Sequence, residues 1–100
     1  MGLILKPNTE KITISGSPIE LEQIYVRLQF FAHPNGKQME IAFNTYYDKT
    51  AYLNEQPLPT NIALANFRVD LQEGEEQSIY QAHLSAKKGF EEWGYNVEVI

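Results

Sequence analysis

The sequence predicts an α+β domain: a mainly antiparallel sheet of about five to seven strands built on a long central hairpin, one C-terminal amphipathic helix, and a final short strand. Three observations carry this. Asn35-Gly36 stands between two runs that alternate in polarity, the strongest short-range hairpin signal. Apolar residues recur at steps of three and four from Ile79 to Trp93, the spacing of one helix face. Tyr95 to Ile100 alternates again directly after Gly94, so a helix crossing the sheet returns the chain to it.

Taken in order, Leu3 to Leu5 reads as a first strand, and Lys11 to Ser15 as a short second one that stops at Gly16-Ser17-Pro18. The hairpin follows. With Asn35-Gly36 as a two-residue type I′ loop, Ala32 faces Met39, Phe30 faces Ile41, Leu28 faces Phe43, Val26 faces Thr45 and Ile24 faces Tyr47. That face is apolar along most of its length, and a slip of one residue would scramble it. The opposite face pairs His33 with Gln38, Phe31 with Glu40, Gln29 with Ala42, Arg27 with Asn44 and Tyr25 with Tyr46. Asp48-Lys49 suggests a further tight turn into a strand over Thr50 to Leu53. Pro57 and Pro59 make Asn54 to Asn61 a loop, because proline cannot donate to a central ladder.

Ala63, Ala65, Phe67, Val69 and Leu71 share one face of another half-buried strand. Glu73-Gly74-Glu75-Glu76 breaks it and opens the helix, with carboxylates where the helix dipole favours them. Ile79, Ala82, His83, Ala86, Phe90 and Trp93 form the apolar stripe, and Gly94 is placed for a left-handed cap. The core is expected to hold Phe30, Ile41, Phe43, Phe67, Val69, Ile79, Ala86 and Phe90, with the helix on the Leu28 face.

Composition narrows the function classes. One hundred residues, 43% of them hydrophobic and 21% charged, make one domain, residues 1–100, with no second core. A net charge of −5 with eight scattered Lys and Arg opposes phosphate backbones and anionic lipid, so no nucleic-acid or membrane partner is expected. The chain has no cysteine, which removes disulfides, zinc-thiolate sites and thiol nucleophiles. The apolar run at Leu3 to Leu5 is too short for a signal-peptide core, and Lys6 spoils a myristoylation motif at Gly2. Synthesis and folding in a cytoplasm is the expectation, with a virion as one final location.

No residues read as catalytic, cofactor-binding or metal-ligating. Ser15, Ser17, Ser78 and Ser85 lie outside any Gly-x-Ser-x-Gly elbow. His33 reads as an exposed turn residue, and His83 as a core-edge histidine satisfied by one hydrogen bond. Fifty residues separate the two, which is no ligand spacing. Glu73, Glu75 and Glu76 lack the order of a calcium loop, and Glu91 and Glu92 read as surface carboxylates. The isolated glycines make no phosphate cradle.

One constellation stands out. The outer hairpin face carries Tyr25, Arg27, Phe31, Ala42 and Tyr46, apolar for a surface open to water and rich in residue types favoured at interface hot spots. Either the chain covers that face itself or a partner does. Arms of ten to twelve residues span about 35 Å, longer than a core of this size needs. The expectation is a non-enzymatic structural or assembly protein, bound to a protein partner or to its own copies through Tyr25, Arg27, Phe31 and Tyr46 and through an exposed edge such as Leu3 to Leu5 or Val97 to Ile100. Acidic, cysteine-free and turn-rich composition is what small virion, phage-tail or injection-machine components present. The alternative is a small-molecule-binding or enzymatic domain with a pocket lined by Tyr25, Arg27, Tyr46, His83 and Trp93.

Overall fold

The computed structural model describes residues 2–62 and 67–100. Among these residues, seven strands and two helices run in the order β1 (Leu3–Pro7), β2 (Ile12–Thr13), β3 (Glu20–Leu21), β4 (Ile24–Ala32), β5 (Gln38–Tyr46), α1 (Lys49–Leu53), β6 (Phe67–Asp70), α2 (Ile79–Glu92) and β7 (Tyr95–Val99). Five strands form one antiparallel sheet in the order β6-β5-β4-β1-β7, and β2 pairs with β3 beside it. The architecture is the expected α+β fold. The part of the strand expected over Ala63 and Ala65 lies outside the described residues.

The hairpin register is the one its faces require: Leu28 opposes Phe43, Phe30 opposes Ile41 and Ala32 opposes Met39. The turn differs from expectation. The Gly36 N–H donates to the His33 carbonyl at 3.1 Å, and the His33 N–H donates to the Gln38 carbonyl at 3.0 Å. Pro34 to Lys37 is therefore a four-residue loop, and within it Gly36 takes positive φ (73°) while Asn35 does not. Proline explains this. A two-residue loop would close on Pro34 opposite Lys37, and Pro34 has no N–H for that closing pair. With its φ held negative it instead takes the second position of a type I turn. Both loops keep the same register. At the other end the ladder stops at Tyr25–Tyr46; Tyr47 does not continue opposite Ile24 and is exposed.

α2 lies across the Leu28 face. Its buried residues Ala82, Ala86 and Phe90 meet Leu3, Leu5, Val26, Phe43, Met39 and Ile41 in two contiguous clusters, with Phe30, Phe67 and Val69 partly buried against them. Phe43, Phe67, Phe90 and Trp93 form a chain of ring contacts with centroids 4.7–5.8 Å apart. The helix starts later than the acidic run suggests. Ser78 is the N-cap, accepting from the Gln81 N–H at 3.0 Å, and Gly74 is left-handed in the preceding turn. Serine capping is worth roughly 1 kcal/mol, more than a loose run of carboxylates before the helix supplies. One core expectation fails as a result: Ile79 opens the first turn and is 59% exposed. Gly94 follows with φ of 100° and its N–H on the Glu91 carbonyl, the expected helix stop.

Two further expectations are corrected. Thr50 to Leu53 is not a strand but the body of α1, whose N-cap Asp48 accepts from the Ala51 N–H at 2.8 Å. The Leu3 to Leu5 strand is not an edge, since β1 is bounded by β4 and β7. The hairpin tip does not project freely either. The Gln77 side chain donates to the His33 and Gln38 carbonyls at 2.7 and 2.9 Å, tying the segment before α2 to the tip.

Candidate interaction surface

β-strand alternation puts Tyr25, Arg27, Gln29 and Phe31 of β4, and Glu40, Ala42, Asn44 and Tyr46 of β5, on the face opposite α2. This outer face divides in two.

Its inner end is roofed by the chain. α1 lays Tyr52 over the sheet, with its ring 5.7 Å from Tyr25 and 5.2 Å from Tyr46, and the Arg27 guanidinium sits 4.5 Å from the Tyr52 ring centre. Arg27 also donates to the Tyr25 hydroxyl at 3.2 Å. Tyr25 is thereby only 3% exposed. Gly2 lies flush against it, where a Cβ would fall 2.5 Å from the Tyr25 hydroxyl oxygen. Three tyrosines and one arginine make a small outer core, cation–π contact included.

The distal end is open. Phe31 is 60% exposed, although its neighbours across the strands are also on this face. With Glu40, Ala42, Phe67 and Arg68 it borders a shallow open hollow of about 330 Å³. Arg68 of β6 donates to Glu40 at 2.8 Å, and His33 Nε2 stands 3.8 Å from the same carboxylate oxygen. The Arg68 hydrogen bond holds the Glu40 carboxyl below its ordinary range, and Glu40 in turn raises the Arg68 guanidinium. The pair is solvent-exposed, so its worth lies in orientation more than in stability.

Of the four expected contact residues, then, Tyr25, Arg27 and Tyr46 are drawn together and engaged within the chain, and Phe31 stands apart and open. Sequence reasoning misses Tyr52, because Thr50 to Leu53 reads as a strand; Asp48, an N-cap residue three positions before Ala51, is the signal that finds it. It also misses Arg68, whose place opposite Glu40 depends on the β5–β6 register. The five residues of a sheet–helix pocket do not converge. His83 and Trp93 lie on the α2 side, where the His83 Nδ1 donates to the Ile79 carbonyl at 2.7 Å and Trp93 packs on Phe67, while Tyr25, Arg27 and Tyr46 lie on the other.

Among the described residues no group of His, Asp and Glu is clustered for a metal ion, and no helix is long and apolar enough to cross a membrane. Comparison of the chain with protein-family models, with curated proteins and with solved structures finds no match.

Proposed function

We propose that this chain is a non-enzymatic assembly subunit that works through protein–protein contacts, with the distal outer face around Phe31 as a contact surface. The observation that supports this most is the contrast on one sheet face. The chain covers Tyr25, Arg27 and Tyr46 with a short helix and leaves Phe31 exposed. A large exposed aromatic beside an oriented Arg–Glu pair is the composition of an interface centre with a polar rim. The His83 Nδ1 donates to the Ile79 carbonyl, and His33 Nε2 stands 3.8 Å from the Glu40 carboxylate, beyond hydrogen-bond reach. The setting we propose is a virion, phage tail or injection machine, supported by the acidic, cysteine-free composition.

The test is the size of the chain in an extract of its source cells. Wild type is expected to migrate in a complex well above the monomer, and Phe31→Ser to shift it towards the monomer while the circular dichroism spectrum is unchanged. Migration of wild type as a monomer in the extract would sink the reading.

A further inference from the structure

The sheet ends in β6 at one edge and β7 at the other, and the β7 backbone shows which partner it can take. Gly2 and Ile100 exchange both backbone hydrogen bonds, at 2.9 and 3.0 Å. Antiparallel ladders alternate bonded and non-bonded pairs, and the register runs Leu3–Val99, Ile4–Glu98, Leu5–Val97, Lys6–Asn96, Pro7–Tyr95. The N–H and C=O groups of Asn96 and Glu98 therefore point into β1. Those of Tyr95, Val97 and Val99 point outwards, and among the described residues β7 pairs with β1 alone. Native edges are blunted by charged side chains, lysine above all, by proline or by a bulge. Tyr95-Asn96-Val97-Glu98-Val99 has no lysine, proline or bulge along its five paired residues, carries one charge, Glu98, and has three strong strand formers.

We propose that two copies of this chain pair β7 to β7, antiparallel about a two-fold axis at Val97, to make one continuous ten-stranded sheet. The proposal rests on the assembly reading and names the partner as a second copy. Two features single out this occupant and this register. Bonded pairs must join outward-pointing residues, which leaves registers centred on Asn96, Val97 or Glu98. Centring on Glu98 sets two like charges in the close non-bonded position, which is destabilising. Centring on Asn96 runs Val99 past the strand onto Trp93, the cap of α2. Centring on Val97 uses all five residues: Val97 bonds Val97, Tyr95 bonds Val99, and Asn96 lies twice opposite Glu98. There the Asn96 amide can donate to the Glu98 carboxylate in both symmetry-related pairs. Both side chains are exposed in the single chain, so the strand is self-complementary in charge and backbone together. Five paired residues bury less than the roughly 1,200 Å² of a standard interface, so the dimer should be weak, with a Kd of roughly 10–100 µM.

The chain has no cysteine, and this makes the register directly testable. Non-bonded partners have Cα atoms about 4.5 Å apart, within disulfide reach, whereas the diagonal between the two copies of residue 96 is about 7–8 Å. Asn96→Cys protein mixed with Glu98→Cys protein should oxidise to a disulfide-linked dimer, while each alone should give at least tenfold less. In sedimentation equilibrium, Val97→Pro should abolish the wild-type dimer. Its missing N–H is one that β1 does not use, so circular dichroism should show the fold retained. Asn96→Asp, which sets a like charge opposite Glu98 in both symmetry-related pairs, should weaken the dimer several-fold. A wild type that stays monomeric at about 1 mM, or a dimer indifferent to these substitutions, overturns the β7 pairing. Either result leaves the assembly reading standing if the chain still migrates in a large complex in cell extract; loss of that complex as well removes both.

Discussion

The two ends of the outer sheet face are built from the same hairpin and differ in one respect, a roof. At the Tyr25 end, one turn of helix anchored by Asp48 brings Tyr52 across Tyr46 and Arg27, and the face becomes core. At the Phe31 end the strands continue, the alternation is the same, and the ring stays in water. The lesson is that outward-facing aromatics are not one class. Where a short connection can fold back over them they serve stability, and where it cannot reach they are available to another molecule.

The sharpest way to test this division is to compare substitutions across the molecule, beginning with the inner face as the reference. Phe43→Ala should destabilise the fold by about 3–5 kcal/mol in a urea titration, since it removes a ring buried against Phe67 and Phe90. Tyr52→Ala comes next, at about 2 kcal/mol, because it uncovers Tyr25 and Tyr46 and deletes the cation–π contact with Arg27. A loss near zero would mean that the roof does not hold, and that the whole outer face is open. Asp48→Ala removes only the cap that positions this helix, and should cost about 1 kcal/mol. Phe31→Ser should change stability by less than about 0.5 kcal/mol, as exposed sites do. A cost comparable to that of Tyr52→Ala would show the distal end to be intramolecular core too.

The smallest effect concerns pH. Glu40 has its folded-state pKa depressed from 4.5, first by the Arg68 hydrogen bond. Its contribution is therefore present above its unfolded value and lost as pH falls through the lower folded one. Stability measured from pH 6 downwards should decline slightly less in Glu40→Gln than in wild type. A steeper decline in the variant would mean that the carboxylate is not held by Arg68.

The sequence by itself determined the hairpin register, the face of β4 and β5 that carries the core, the α2 stripe from Ala82 to Phe90, and the Gly94 stop. These are local periodicities whose meaning does not depend on distant residues: a one-residue slip exposes Phe30, Ile41 and Phe43 together, and nothing elsewhere compensates. Legibility failed wherever two local signals competed or a contact joined distant segments. Asp48-Lys49 reads equally as a turn or a cap, and the helix prevails where Tyr52 finds Tyr25 and Tyr46 beneath it. The acidic run before Ser78 looks like a helix start, but the chain must first tie Gln77 to the hairpin tip. Strand order is not written in any one strand, so β1 reads as an edge until β7 returns beside it. For the contact surface the same holds: Tyr25, Arg27, Phe31 and Tyr46 share one face by alternation alone, and only the tertiary fold separates them, because a five-residue helix is long enough to cover one end of that face and too short to cover the other.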